Sequence, residues 1–141
     1  MRTSRRQGRV FAMQILYGVE ISGNAMGEVI TAVINSLKIP KDMQDYGMKL
    51  VDLVQEHIAE LDAFIVEYAK EWDLERMAVL DKIILRQALV EMLYVEDVPI
   101  KVIIVEAVQI ATKYSTDDSG GFINGILNSF AQDRQMLGRQ N

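Results

Sequence analysis

The first nine residues carry the side chains best suited to binding phosphate. They include four arginines and no acid, at spacings of three, one and three residues: Arg2, Arg5, Arg6 and Arg9. On a helix three of these fall near one face and Arg5 lies beside it. Guanidinium groups offer phosphate paired donors and a permanent charge. A solvated N-terminal run has the same composition, so the cluster indicates an anion-binding surface without identifying the anion.

Polar and aromatic residues near the arginines narrow the choice of anion. Gln14 and Tyr17 follow within about two turns of the same helix. An amide and a ring beside basic residues suit single-stranded RNA, whose unstacked bases present edges and faces. A second aromatic residue, Phe122, stands at the border of an apolar stripe near three glycines and just after Asp118. Core positions for Tyr17 and Phe122, and a helix-capping role for Asp118, are the alternatives.

Few residues in the chain could carry out catalysis. Cysteine is absent and His57 is the single histidine. Disulfides, thiolate zinc sites and cysteine nucleophiles are therefore excluded, and His57 lacks the spacing of a metal ligand. The loop from Asp117 to Gly121 has neither the spaced ligands of a calcium loop nor the ending of a phosphate loop. We predict a protein that is not an enzyme and uses no cofactor or metal.

The charge of the chain is divided unequally along its length. The total of −5 argues against a nucleic-acid binder, but the first nine residues carry +4 and the other 132 carry −9. The acids are densest from Asp42 to Glu75, where ten stand against two lysines. Screening acts over about 8–10 Å, so a local basic patch can act despite a negative total. The division predicts one surface for RNA and an acidic one for a basic protein.

The spacing of apolar residues predicts a helical protein. They recur mostly every three or four positions, which indicates about six or seven helices, the first from Ser4 to about Ile21 and a strongly apolar one from Ala78 to Tyr94. Val102–Val105 is β-branched, but no second run could pair with it as a strand, so we predict a helix from Pro99 to about Tyr114. The expected fold is all-α, a compact bundle forming a single domain over residues 1–141. No targeting signal or membrane span is evident, so the cytoplasm is the expected compartment.

Segments spread over nearly the whole chain resemble the NusB family of transcription antitermination factors in order and spacing. They are Ser4–Arg9 with Ala12–Tyr17, Leu85–Ala88, Glu91–Leu93, Asp97–Val102, Glu106–Val108, Lys113–Ser115, Asp118–Ser119 and Phe122–Leu127. The Asp-Val-Pro and Phe-Ile-Asn-Gly segments are the most specific of these. The likeness is strong from about Val79 to Leu127 and loose from Ile21 to Arg76.

The resemblance implies two small helical subbundles and a role in processive transcription of ribosomal RNA operons. NusB proteins pair with the ribosomal small-subunit protein NusE, and the pair binds the boxA element of nascent RNA within the antitermination complex of RNA polymerase. The family then implies RNA-facing roles for Arg5, Arg6, Arg9 and Tyr17, with Asp118 and Phe122 at the far edge of that surface. The spacing argument adds Arg2 and Gln14. Asp81 and Arg86, which lie on the same helix, are implied to face the protein partner.

The sequence departs from the family pattern at two positions, and two other functions are compatible with it. Val10 stands where the family usually has Glu, and Val105 where it usually has Asn, so polar groups are missing near the expected binding surfaces. The alternative function is a helical protein–protein interaction module, or homodimer scaffold, without RNA contact. An RNA-recognition domain of an RNA methyltransferase is a third option, but this chain has no room for a cofactor-binding domain and no glycine fingerprint.

Overall fold

The computed structural model of the chain describes residues 2–70 and 72–138, with side chains from residue 5 onward. This part contains seven α-helices, one 3₁₀ turn and no strand. The helices are α1 (Arg2–Ser22), α2 (Met26–Leu37), α3 (Lys41–Glu56), α4 (Ile58–Ala69), α5 (Val79–Tyr94), α6 (Ile100–Tyr114) and α7 (Ser119–Asp133), and the 3₁₀ turn is Leu74–Arg76. The all-α prediction is confirmed, including a helix rather than a strand at Val102–Val105. Within the described residues no helix has the length and hydrophobicity needed to cross a membrane.

Helix boundaries differ from the prediction where capping decides them. The first helix begins at Arg2, two residues before Ser4. The long apolar stretch after Pro40 breaks at His57, whose backbone geometry ends α3 and starts α4. Pro99 precedes α6 instead of occupying its first turn, and its carbonyl accepts the amide hydrogens of Val102 and Ile103. A carbonyl just before a helix satisfies backbone donors that would otherwise have no partner.

Helix α5 occupies the centre of the molecule. It contacts five other helices, α1, α3, α4, α6 and α7, and nearly every side chain from Ile83 to Met92 is buried. A helix covered on all sides buries its polar residues too, in this case Asp81, Arg86, Gln87 and Glu91. Each of these must find a protein partner, because an unpaired polar group is costly away from water. The partners of these side chains therefore fix how the neighbouring helices are oriented.

Helix α1 crosses α3 at close range because glycines remove side chains from the contact. A Cβ atom placed on Gly47 would lie 2.7 Å from the Gly8 carbonyl oxygen and 2.7 Å from Phe11. One placed on Gly8 would lie 3.0 Å from the Tyr46 ring. This crossing sets the distance from Tyr46 to the residues of α1 and α5 described below.

Gly47→Ala is expected to lower the free energy of unfolding by about 1–3 kcal/mol, since the added methyl group overpacks the crossing of α1 and α3. Gly125→Ala is the matched control, because a Cβ there meets nothing within 4 Å. At that exposed helical position, alanine is expected to be neutral or stabilising by about 0.4–1 kcal/mol. Urea denaturation of both variants measures the difference, and equal changes would contradict the close crossing.

Candidate nucleic-acid interface

Arg9 lies inside the molecule, against the middle of α5. Its Nε and Nη2 donate to the two carboxylate oxygens of Glu91 at 2.7 and 2.9 Å, and the two side chains are 5% and 2% exposed. The Tyr46 hydroxyl of α3 donates to Glu91 at 2.5 Å, and Gln87 donates to the Arg9 carbonyl at 3.1 Å. Buried charges persist when they are paired and hydrogen-bonded. This group therefore ties α1, α3 and α5 together.

Arg5 and Arg6 make comparable pairs nearer to solvent. Arg5 donates to both carboxylate oxygens of Asp97, at 3.1 and 2.6 Å. Arg6 donates through Nε to Glu106 at 2.8 Å and through Nη2 to Glu106 and Gln109. The side chains of Arg5 and Arg6 are 26% and 45% exposed. Both arginines therefore keep an edge that a ligand can reach.

These ion pairs change the local charge that the sequence suggested. The hydrogen bond from Arg5 lowers the pKa of Asp97, and the one from Arg6 lowers the pKa of Glu106. Each described arginine of α1 thus faces a carboxylate from α5, α6 or the loop between them. The charge of +4 counted over the first nine residues is therefore partly balanced in the fold by acids distant in sequence. The side chain of Arg2 lies outside the described residues.

Gln14 and Tyr17 lie in a groove between α1 and α2. Both are half-buried. Leu37, at the end of α2, lines this groove and also a second one that contains Arg6. Arg6, Gln14 and Tyr17 fall within about 80° of one another around α1, given 100° per residue. They form one stripe along the outer side of the helix, and Arg9 points inward from its edge.

Phe122, Asp118 and Asp81 meet in another depression, at the start of α7. The exposed Trp72 ring meets Phe122 edge-on, with ring centres 5.7 Å apart. Asp81 is 6% exposed and accepts a hydrogen bond from Ser115 at 2.7 Å. The family resemblance implied a protein-binding role for Asp81 and RNA-binding roles for the other two residues. The structure brings all three to the same place.

Arg86 lies on the opposite side of α5 from this depression. It donates to both oxygens of Asp62 on α4, at 2.7 and 3.0 Å, and its side chain is 11% exposed. Five residues along a helix turn the side chain by about 140° relative to Asp81. The two residues that the sequence analysis placed toward one partner therefore do not share a surface.

Three acids that pair with the arginines were missed at the sequence level. Glu91 carried a signal, because it is the one acid within the apolar run from Ile83 to Met92, and a buried acid requires a cationic partner. No feature of the sequence marked Asp97 or Glu106 as a partner of an arginine, since acids at helix surfaces and in loops are common in this chain. Their pairing with Arg5 and Arg6 depends on how α1 packs, which the sequence pattern does not specify.

The described residues offer no arrangement typical of a metal centre. No group of three or more His, Cys, Asp and Glu side chains among them could hold a metal ion. His57, at the junction of α3 and α4, stacks on the Tyr94 ring with ring centres 4.2 Å apart. Its neighbourhood is accounted for by packing.

A family model, curated relatives and a solved structure that match this chain all concern NusB proteins. A sequence model described as the NusB family matches residues 6–132. The chain is 42% identical over 132 residues to the transcription antitermination protein NusB of Chloroherpeton thalassium, covering 89% of this chain and 60% of that protein. It is 37% identical over 140 residues to the protein of the same name from Thermodesulfovibrio yellowstonii, covering 92% of each. A crystal structure of antitermination factors NusB and NusE in complex with double-stranded RNA contains a similar chain, with a TM-score of 0.84, 26% identity, and coverage of 94% of this chain and 99% of that one.

Glu91→Ala is expected to lower the free energy of unfolding by about 3–5 kcal/mol, because it leaves the buried Arg9 charge without its partner. Asp97→Ala removes an acid of the same kind from an exposed pair and is expected to cost less than about 1 kcal/mol. Chemical denaturation of both variants measures the two losses. A loss at Glu91 as small as the one at Asp97 would show that Arg9 and Glu91 do not depend on each other.

Acid is expected to destabilise the protein through Asp97 and Glu106. A carboxyl group whose pKa is lowered in the folded state stabilises the fold above its unfolded pKa, which is about 4. That stabilisation is lost as the pH falls through the folded pKa. Glu106→Gln should therefore show a shallower decline in unfolding free energy than the wild type between about pH 5 and about pH 3. Denaturation at several pH values tests this, and an unchanged decline would contradict it.

Proposed function

Because the chain belongs to the NusB family, we propose that it is a transcription antitermination factor that binds boxA-type single-stranded RNA together with the ribosomal protein NusE. In this role it promotes processive transcription of ribosomal RNA operons within the antitermination complex of RNA polymerase, in the cytoplasm. It acts by binding RNA and protein rather than by catalysis. The family match over residues 6–132 is the observation that carries the proposal. The likeness to a solved NusB and NusE complex with RNA supports both kinds of partner.

The proposed RNA contacts lie along the outer stripe of α1. Arg6 presents a partly exposed guanidinium, and Gln14 and Tyr17 follow it in the groove beside α2. Arg5 adds a partly exposed edge about 100° from Arg6 around the helix. Arg9 is 4% exposed, so we assign it a positioning role, in which it orients the helix that presents the other residues.

The proposed protein contact lies at the depression that contains Phe122. Its wall includes the carboxylates of Asp81 and Asp118 against one arginine, Arg76. Such a surface suits a basic ribosomal protein better than an RNA phosphate, because opposite charges favour association and like charges oppose it. An RNA base could still reach the exposed edge of this depression beside Phe122. RNA and protein would then meet here, and each would add contact surface for the other. Since Arg86 pairs internally with Asp62, we propose no partner contact for it.

The double substitution of Arg5 and Arg6 by alanine is expected to weaken binding of boxA-type RNA by about tenfold and to flatten its salt dependence. Removing two phosphate contacts should reduce the slope of log K against log salt by up to about 1.4, at 0.7 per contact for single strands. Gel shifts and fluorescence anisotropy at several salt concentrations, with and without NusE, measure both quantities. Arg9 is left intact, because its removal is expected to unfold the protein.

Arg134→Ala is the matched control for this experiment. Arg134 follows α7, where it lies against the Phe64 and Phe130 rings, and it lines neither groove along α1. The Arg134→Ala variant loses one positive charge, half the loss of the double variant, at a place outside the proposed RNA surface. Equal loss of RNA affinity in both proteins would attribute the effect to net charge alone and contradict the assignment of Arg5 and Arg6.

A further inference from the structure

A groove between α1 and α6 contains Arg6 together with polar, basic and aromatic side chains that are not among the RNA contacts proposed above. It encloses about 260 Å³ and is walled on one side by Arg6 and Gln7 and on the other by Gln109, Lys113 and Tyr114. Leu37 lines this groove and also the one that contains Tyr17. Pockets for small ligands range upward from about 300 Å³. This groove lies just below that size, so it has room for one nucleotide unit and not for a larger group.

The lining of this groove is positive, although Glu106 pairs with Arg6 from outside the groove. Arg6 and Lys113 line it, and no carboxylate does. Among the described residues Lys113 has no acidic partner, and its ammonium lies 5.3 Å from the centre of the Tyr114 ring. The bonds of Arg6 to Glu106 and Gln109 use Nε and Nη2, so its Nη1 edge is available. The depression beside Phe122, in contrast, contains two aspartates.

The remaining wall of the groove could recognise a base. The Tyr114 ring is half-buried and Leu37 adds an apolar surface, so a planar group can be covered between them. Gln7 and Gln109 are exposed on either side. Amide side chains can donate and accept hydrogen bonds at the edge of an unpaired base. Aromatic rings beside a cationic path are the usual means of holding single strands.

We propose that this groove is a subsite for one unpaired nucleotide of the bound RNA. The base lies against Tyr114 with its edge toward Gln7 and Gln109, and the adjoining phosphate is held by Lys113 and the free edge of Arg6. This inference rests on the proposed RNA-binding function and gives RNA contacts to residues for which neither the arginine spacing nor the family resemblance implied a role. From this subsite the strand continues past Leu37 toward Gln14 and Tyr17.

Lys113→Ala tests the phosphate contact, with Lys101→Ala as its matched control. Both lysines are exposed on α6, but Lys101 lies at its first turn and outside the groove. Lys113→Ala is expected to weaken boxA-type RNA binding about fivefold and to reduce the salt slope by about 0.7, while Lys101→Ala changes neither by a comparable amount. The measurement is fluorescence anisotropy with the full chain and NusE. Equal effects of the two substitutions would overturn the proposal.

Tyr114→Leu tests the base contact, with Tyr94→Leu as its control outside the groove. RNAs carrying the fluorescent base 2-aminopurine at successive positions are titrated with wild type and variants. One position should be quenched on binding to the wild type and to Tyr94→Leu but not to Tyr114→Leu, with RNA affinity lowered about fivefold or more in the last. Circular dichroism checks that the variants are folded. If Tyr114→Leu does not fold, Lys113→Ala still tests whether RNA enters this groove. Quenching that survives in folded Tyr114→Leu would overturn the base contact.

The outcomes separate this subsite from the function on which it rests. RNA binding that needs Arg5 and Arg6 but is unchanged in Lys113→Ala would overturn the subsite and leave the proposed function standing. Loss of NusE binding in Lys113→Ala at constant RNA affinity would make the groove a protein contact and overturn the subsite. Wild type that binds no boxA-type RNA, even with NusE, would overturn both. A free mononucleotide that competes as well as the RNA would overturn the assignment to a strand.

Discussion

The buried ion pair between Arg9 and Glu91 is the contact on which the arrangement of the candidate interface depends. Helix α5 is covered by other helices on all sides, so its one acid in the apolar stretch must be neutralised from within the protein. Among the described residues, Arg9 of α1 pairs with it and the Tyr46 hydroxyl of α3 donates to it. That requirement fixes the rotation of α1 about its axis. With Arg9 turned inward, Arg6, about 60° away, must lie at the boundary with solvent.

The pairing of arginines with distant acids changes what the charge distribution means. Counting along the sequence separates a basic end from an acidic remainder, but folding returns three of those acids to the arginines. The positive potential available to RNA is therefore smaller than the count indicates. It is greatest near cations that have no acidic partner. Lys113, which lines a groove with Arg6, is such a cation among the described residues. The acidic character survives at the depression formed by Asp81 and Asp118, where it suits a basic protein.

The elements were predictable from the sequence to the extent that burial alone decides them. The three- and four-residue apolar spacing predicted the helices, including α6 despite its β-branched run, because no second strand could pair with it. The break at His57 was not predicted at that position, since the apolar pattern continues through it to Leu61. The candidate site was harder to predict from the sequence, because Arg6 and Arg9 are the same residue type and are adjacent on one helix. Which of them is buried depends on Glu91, 82 residues away from Arg9.

The same pairing bears on the proposed binding of RNA together with a second protein. An RNA phosphate that approaches Arg5 or Arg6 must share the guanidinium with Asp97 or Glu106, or displace it. Exposed ion pairs are worth at most about 1 kcal/mol, so exchanging one anion for another changes the free energy little. Phosphate contacts alone then hold RNA weakly and without sequence preference. In the proposed complex, affinity must come from groups that have no internal competitor, namely the rings along α1 and α6, the amides of Gln7 and Gln14, and the surface that a second protein adds.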